Sequence, residues 1–182
     1  MTMGSDQGRR EDPLILVEAL FSGANAGRLF GEAVSIGEHM RQTAALAELD
    51  RAAPTLVVAA LLHDVAYVVA PDPSDARSIE IDHAEIGGAW LERWFPETVS
   101  EPVRLHVEAK RYLTLTESGY AAMLSPESLR TFELQGGVMT RNEARQFESV
   151  PHFEDAVRLR RWDEQAKDPS APFPEIEHFR DL

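Results

Sequence analysis

Residues 54–69, PTLVVAALLHDVAYVV, decide the fold of this chain. The stretch is apolar on almost every side of a helix, which is typical of a buried central element. Pro54 suits the first turn of that helix. His63 and Asp64 interrupt the apolar run, and a buried carboxylate is costly unless it has a partner. The stretch therefore predicts a central helix carrying a polar pair, with Asp64 either facing solvent at a helix end or bound to a partner.

Helical periodicity continues on both sides of this stretch, without strand alternation, internal repeats or a phosphate-binding glycine loop. Capping residues and prolines mark the ends of the predicted helices. Four of these helices are predicted by their starts alone, at Asp12-Pro13, Asp82, Ser125-Pro126 and Thr140. Three others are predicted to run from about Glu32 to Leu49, from about Ser100 to Tyr112 and from Pro151 to about Lys167. The prediction is an all-α, single-domain bundle of about seven helices.

The sequence divides into three predicted segments. Residues 1–11 lack an apolar core and predict a disordered lead-in, residues 12–168 predict the helical domain, and residues 169–182 predict a proline-rich tail packed on the surface. A length of 182 residues is enough for one domain with a full core.

Charge and composition exclude several classes of function. The chain has 18 Lys and Arg against 31 Asp and Glu, a net charge of −13, which argues against nucleic acid or an anionic membrane as partner. The absence of cysteine excludes disulfides, thiolate nucleophiles, iron–sulfur clusters and cysteine-bound zinc. No apolar run reaches the roughly 18 residues of a membrane span. We expect a cytoplasmic protein that acts on a small molecule.

Four histidines and two aspartates occur along the chain in the order H…HD…H…H…D, and each successive predicted helix carries one member of this series, with H and D adjacent in one case. Neutral imidazole and carboxylate suit iron, manganese or zinc. Six such ligands are too many for one tetrahedral site, and they fit two sites if Asp64 bridges them with its two oxygens. The second site is then short of protein ligands, which leaves positions for a substrate or dioxygen. The predicted ligands are His39, His63, Asp64 and Asp163 for one metal and Asp64, His83 and His106 for the other, with His83 in the first turn of its helix.

The adjacent His63-Asp64 pair resembles the HD-domain superfamily, and four further stretches narrow the resemblance to the PhnZ-type mixed-valent di-iron oxygenases. These stretches are GEAVSIGEHMRQTAALAE (31–48), HVEAKRYL (106–113), LSPESLRTFELQGG (124–137) and VRLRRWDEQAK (157–167). The resemblance covers about residues 29–168. It implies a mixed-valent Fe(II)/Fe(III) pair and dioxygen as co-substrate. It also implies cleavage of the C–P bond of a 1-hydroxyphosphonate: 2-amino-1-hydroxyethylphosphonate to glycine and phosphate, or its trimethylammonio analogue to glycine betaine and phosphate.

Residues near the predicted ligands fit an anionic substrate. Lys110 lies four residues after His106, so both side chains are predicted to point from the same helical face. A cation beside a metal that has few protein ligands suits the binding of a phosphonate dianion. The resemblance implies that Lys110, Ser128, Gln135 and Arg160 hold the phosphonate. Asp64, His83, His106 and Lys110 are the predicted catalytic residues.

The other end of the substrate pocket departs from the family pattern. The resemblance implies that Glu32 binds the substrate's ammonium group, although a carboxylate at a helix start is also favoured by the helix dipole. Leu29 stands where the family has a tyrosine that guards the open iron, and Tyr67 stands where it has a substrate-contacting histidine. The ring of Tyr67 suits a substrate cation. These departures predict retained chemistry with an altered substrate.

Three other functions remain open, and one is a related oxygenase that acts on a polyol such as inositol, which has the same ligand order in longer chains. An HD protein with the same ligands could be a phosphohydrolase that attacks a phosphate ester with a metal-bound hydroxide. It could also be a binding module without activity. The sequence indicates no oligomeric state and no redox partner.

Overall fold

The computed structural model describes residues 12–29, 31–69 and 76–182, with the backbone alone at 76–79. The predicted disordered lead-in, residues 1–11, lies outside this described part. Within it the protein is all-α and has no strand, which confirms the predicted fold class. Its ten α-helices are α1 (Pro13–Ser22), α2 (Ile36–Leu49), α3 (Pro54–Leu62), α4 (Val65–Val69), α5 (Ala76–Leu91), α6 (Glu97–Thr116), α7 (Tyr120–Met123), α8 (Pro126–Leu134), α9 (Arg141–Phe147) and α10 (Phe153–Gln165).

The predicted number of about seven helices is too low: the apolar stretch 54–69 forms two helices, and the short helix α7 was not predicted. α3 ends at Leu62, His63 and Asp64 form a turn, and α4 begins at Val65. Leu62, His63 and Val65 are all fully buried, so the break lies inside the core. The apolar stretch is therefore interrupted at the His63-Asp64 pair, within the core.

Several helix starts differ from the predictions, and those of α2 and α5 differ most. α2 begins after Ser35, whose hydroxyl accepts a hydrogen bond from the Glu38 amide while the Glu38 carboxylate accepts one from the Ser35 amide. This capping box leaves Glu32 in the preceding turn, so the helix dipole does not explain its position. α5 begins at Ala76 rather than Asp82, and His83 lies in the middle of the helix rather than in its first turn.

The helices pack around α6. α6 contacts α10, α5 and α3, α3 also contacts α10, and α2 packs across α3 and α10. Gly88 of α5 lies directly against α6, where an added Cβ atom would come within 2.9 Å of the Arg104 Cβ atom. The bundle thus brings α2, the α3–α4 turn, α5, α6 and α10 together at one point.

The C-terminal segment ends in a short 3-10 helix, Ile176–Phe179. Phe179 is buried in the same apolar cluster as Val17 of α1. Arg180 and Glu18 form an exposed ion pair between the segment and α1. In the part of the chain that is described, no helix combines the length and apolar character needed to cross a membrane.

Candidate metal centre

Three predicted ligands from α2, the α3–α4 turn and α10 form the first half of the centre. The His39 Nε2 atom lies 3.1 Å from the His63 Nε2 atom and 3.2 Å from the Asp163 Oδ1 atom. The His63 Nε2 atom lies 3.8 Å from the same Asp163 oxygen. All three side chains are buried, so three potential ligand atoms converge on one point in the core.

Two helices and the turn supply the second half. His83 of α5 and His106 of α6 place their Nε2 atoms 3.0 Å apart. The Asp64 Oδ1 atom lies 3.7 Å from the His83 Nε2 atom. These three residues form a second group that could hold an ion.

Asp64 faces both halves. Its Oδ2 atom lies 3.7 Å from the His39 Nε2 atom and 3.5 Å from the His63 Nε2 atom, while Oδ1 is directed at His83. Asp64 lies in the turn between α3 and α4, directly after His63. The bridging position is the one that the sequence predicts for Asp64.

Backbone carbonyls orient all four histidine rings. The Nδ1 atoms of His39, His63, His83 and His106 lie 2.8, 2.8, 3.3 and 2.7 Å from the carbonyl oxygens of Ala166, Ala60, Glu80 and Val103, respectively. A carbonyl only accepts hydrogen bonds, so each Nδ1 carries the proton. Each Nε2 atom therefore turns a lone pair toward the centre, as in histidine ligands of metals.

The donor set fits a pair of metal ions. Two lone pairs facing each other at 3.0 or 3.1 Å repel, unless a cation lies between them. Two ligand atoms about 2.1 Å from one ion and at right angles to each other lie about 3.0 Å apart, which matches these distances. Both halves therefore have the ligand types and the spacing of metal sites.

Most of the pKa shifts favour the forms that bind a metal. His39 is the exception: burial alone would lower its pKa, but the hydrogen bond and the charge of Asp163 raise it. Burial lowers the pKa of His63 and His83, and burial with the nearby His83 and His63 lowers the pKa of His106 to about 3. Burial alone would raise the pKa of Asp163, but the Arg160 guanidinium holds it well below its usual range. Neutral imidazoles and an ionised carboxylate are the forms that bind a metal.

A cavity opens beside the centre, and three cations line it. Lys110 and Arg160 are almost fully buried, and the Lys167 side chain is only 13% exposed. Cations held in a site of low dielectric attract an anion more strongly than surface cations do. The described residues that line this cavity are Leu29, Glu32, Val34, Ile36, His39, Asp64, Tyr67, Glu80, His83, His106, Lys110, Glu127, Ser128, Thr131, Arg160, Asp163 and Lys167.

Lys110 lies one helical turn beyond His106, as its spacing predicts. Its Nζ atom donates to the Thr131 Oγ1 atom at 3.2 Å. Burial and the Arg160 charge lower its pKa to about 7. A negative ligand beside it would favour the protonated form.

Arg160 is engaged with several protein groups. It forms ion pairs with Asp163 and Glu164 on its own helix, and its Nε atom donates to the Tyr120 hydroxyl at 3.0 Å. Its Nη2 atom lies 3.3 Å from the Ser128 Oγ atom. Arg160 therefore orients a predicted metal ligand and also supplies charge to the cavity.

The structure places Glu32, Tyr67, Lys110, Ser128 and Arg160 in the cavity wall, but not Gln135. The Gln135 Nε2 atom donates at 2.8 Å to the Glu80 carbonyl, which also lies 3.3 Å from the His83 Nδ1 atom. Tyr67 packs beside the ring of His83, with the ring centres 5.2 Å apart. Leu29 lies in the wall with an exposed side chain.

Sequence reasoning missed Lys167, Glu164 and Thr131. Lys167 and Glu164 were detectable, because residues 160, 163, 164 and 167 repeat at the spacing of one helical face. Glu164 accepts hydrogen bonds from the Ser125 amide at 2.7 Å and the Ser128 hydroxyl at 3.0 Å. Thr131 has the same signal, since residues 128, 131 and 135 also repeat at helical spacing, but only the tertiary contact between α8 and α6 brings it to Lys110.

The chain is similar to characterised proteins over most of its length. The HD domain matches residues 36–159. A hydroxymethylphosphonate dioxygenase of Gimesia maris is 37% identical over 153 residues, which cover 82% of this chain and 76% of the relative.

Two further relatives match at similar length. A [1-hydroxy-2-(trimethylamino)ethyl]phosphonate dioxygenase (glycine-betaine-forming) of Leisingera caerulea is 36% identical over 155 residues, 82% of this chain and 77% of the relative. An uncharacterized protein of Acanthamoeba polyphaga mimivirus is 32% identical over 156 residues, 84% of this chain and 71% of the relative. The chain belongs to the HD-domain family and, within it, to the group that contains these two phosphonate dioxygenases.

Proposed function

We propose that this protein is a di-iron oxygenase that uses dioxygen to cleave the C–P bond of a 1-hydroxyphosphonate. The observation that carries the proposal is Asp64, whose two oxygens face two separate histidine groups beside a cavity lined with buried cations. The names of the two dioxygenase relatives support the same class of reaction.

The proposed ligands divide unequally between the ions. His39, His63, Asp163 and Asp64 would hold one iron, and His83, His106 and Asp64 would hold the other. The pair, proposed as mixed-valent Fe(II)/Fe(III), supplies activation of dioxygen and a Lewis acid for the substrate oxygens. The second position has fewer protein ligands and is therefore the proposed place of the reaction.

The protein's own groups would bind and orient the phosphonate. Lys110 and Arg160 supply buried positive charge, and Ser128 supplies a hydroxyl on the same wall. Charge-assisted hydrogen bonds from several directions would hold the carbon that carries phosphorus beside His83 and His106. The products would be inorganic phosphate and a carboxylate.

Several substrates share this chemistry. The candidates are hydroxymethylphosphonate, 2-amino-1-hydroxyethylphosphonate and its trimethylammonio analogue. The last would give glycine betaine. Tyr67 and Leu29, the two positions where the chain departs from the family's pattern, line the cavity.

We further propose that residues 12–168 form the HD domain and residues 169–182 a tail packed on its surface, and that the protein works in the cytoplasm. The net charge of −13 and the absence of cysteine support a small-molecule substrate and a reducing compartment.

The test is loading with iron under argon, followed by a screen of the three phosphonates for phosphate release with and without dioxygen. We expect release that depends on both iron and dioxygen, together with a paramagnetic signal of the mixed-valent pair. Hydrolysis of a phosphate ester with magnesium or manganese under argon, without phosphonate turnover, would favour the phosphohydrolase instead.

A further inference from the structure

The Glu32 carboxylate already has a cationic partner in the cavity wall. Its Oε1 atom lies 3.1 Å from the Lys167 Nζ atom and accepts a hydrogen bond from the Ser125 hydroxyl at 2.6 Å. A substrate ammonium group would therefore have to compete with Lys167 for this carboxylate.

Lys167 connects Glu32 to the proposed phosphonate-binding groups. Its Nζ atom donates to the Ser128 Oγ atom at 2.7 Å, and it lies 3.4 Å from the Glu164 Oε2 atom. Glu164 is also engaged by Arg160, so the carboxylates and cations alternate along one wall. Lys167 thus sits between Glu32 and the groups that face an anion.

Electrostatics favours this arrangement over a lone carboxylate. An uncompensated Glu32 on the wall that binds a phosphonate would repel the substrate, whereas a paired one holds Lys167 in place. The Ser125 hydroxyl that donates to Glu32 also caps α8 by accepting from the Ser128 amide at 3.0 Å. Glu32 therefore contacts both Lys167 and the start of the helix that carries Ser128.

From these contacts we infer that Glu32 is a positioning residue for Lys167 and that the pair belongs to the anion-binding end of the cavity. The inference rests on the proposed function and deepens it. If Glu32 serves the phosphonate end, the substrate needs no cationic substituent, and the expected class is a 1-hydroxyphosphonate without nitrogen. The family resemblance, by contrast, implies that Glu32 binds an ammonium group.

Inorganic phosphate is the discriminating probe, because it carries the anion of the substrate and no nitrogen. Its affinity is measured by calorimetry on the iron-loaded protein under argon, for the wild type, Glu32→Gln, Lys167→Met and the double variant. Glu117→Gln, which removes a carboxylate from an exposed ion pair with Arg161, is the matched control. We expect each single variant to weaken phosphate binding by about five- to tenfold, and the double variant to be no weaker than the worse single one.

Lys167→Arg keeps the charge and should bind phosphate within about twofold of the wild type. If Lys167→Arg bound phosphate as weakly as Lys167→Met does, that result would contradict the ion-pair role of Lys167. Two other results would overturn the inference. In the first, Glu32→Gln leaves the binding of phosphate and hydroxymethylphosphonate unaffected and impairs that of 2-amino-1-hydroxyethylphosphonate alone. In the second, the loss of phosphate affinity in the double variant equals the sum of the losses in Glu32→Gln and Lys167→Met.

The proposed function can fail separately. A wild type that binds phosphate in a Glu32-dependent way, yet releases none from any 1-hydroxyphosphonate, would refute the oxygenase and leave the pair standing.

Discussion

The two halves of the metal centre are built differently. His39 and His63 share their half with Asp163, which Arg160 holds in an ion pair, and all of them are buried in the core. His83 and His106 share only Asp64, so this half has one carboxylate, whereas Asp163 and Asp64 both face the other half; residues of both halves line the cavity with Lys110. If both sites bind a metal, the first would have more protein ligands than the second, which would keep positions for substrate, as proposed above.

The largest effect is expected from a change at Asp64, the residue that faces both halves. Asp64→Asn should lose both ions and lower turnover by about a thousandfold or more, because the bridge serves each site. Metal analysis and phosphate release measure the two effects. Glu117→Gln should keep two ions per chain. Retention of both ions by Asp64→Asn would show that the bridge is unnecessary.

Removing a ligand from one half should separate the sites. His106→Ala should reduce the metal content from two ions to one and lower turnover by about a thousandfold. The half formed by His83, His106 and Asp64 has the fewest protein ligands, so it should lose its ion first. Metal analysis, with anaerobic titration of iron, follows the change. Loss of both ions together would mean that the two halves do not fill independently.

The cavity side should also respond to loss of charge without loss of metal. Lys110→Met should lower kcat/KM by about 10- to 100-fold, because it removes a buried cation from the anion site. The iron content should stay at the wild-type value, and steady-state kinetics on each phosphonate measures the loss. An unchanged KM would contradict the role of Lys110 in substrate capture.

The smallest expected effect is a pH dependence. Burial and Arg160 lower the pKa of Lys110 to about 7, so the free protein loses this positive charge as the pH rises through that value. We expect kcat/KM to fall by about tenfold between about pH 6.5 and 8.5. Lys110→Arg stays charged over this range, so the ratio of wild type to variant cancels the substrate's own titration. A constant ratio would contradict the assignment.

Local signals predicted much of the fold. The capping box at Thr140 and Glu143, the cap at Ser125 and the start at Asp12-Pro13 all occur as the sequence indicates. Each depends on residues within one turn, which is why sequence reasoning finds it. The Asp82 start was wrong, because α5 already begins at Ala76 and places the Asp82 side chain on an exposed face.

Long-range signals were harder to read. The ligand types and their order are visible in the chain, but Gln135 shows the limit of transferring a role by position. Its side chain reaches the Glu80 carbonyl and does not line the cavity. The direction of that amide depends on where α8 meets α5, which no spacing along the chain encodes.

The sequence by itself determined the helical class, the family and the six candidate ligand residues, because periodicity and residue chemistry are local properties. Only the tertiary structure decided that Asp64 faces both histidine groups and that Glu32 contacts Lys167. The first involves a turn inside the core, and the second joins residues that are far apart in sequence. Packing of the helices sets such distances, and it acts on the chain as a whole.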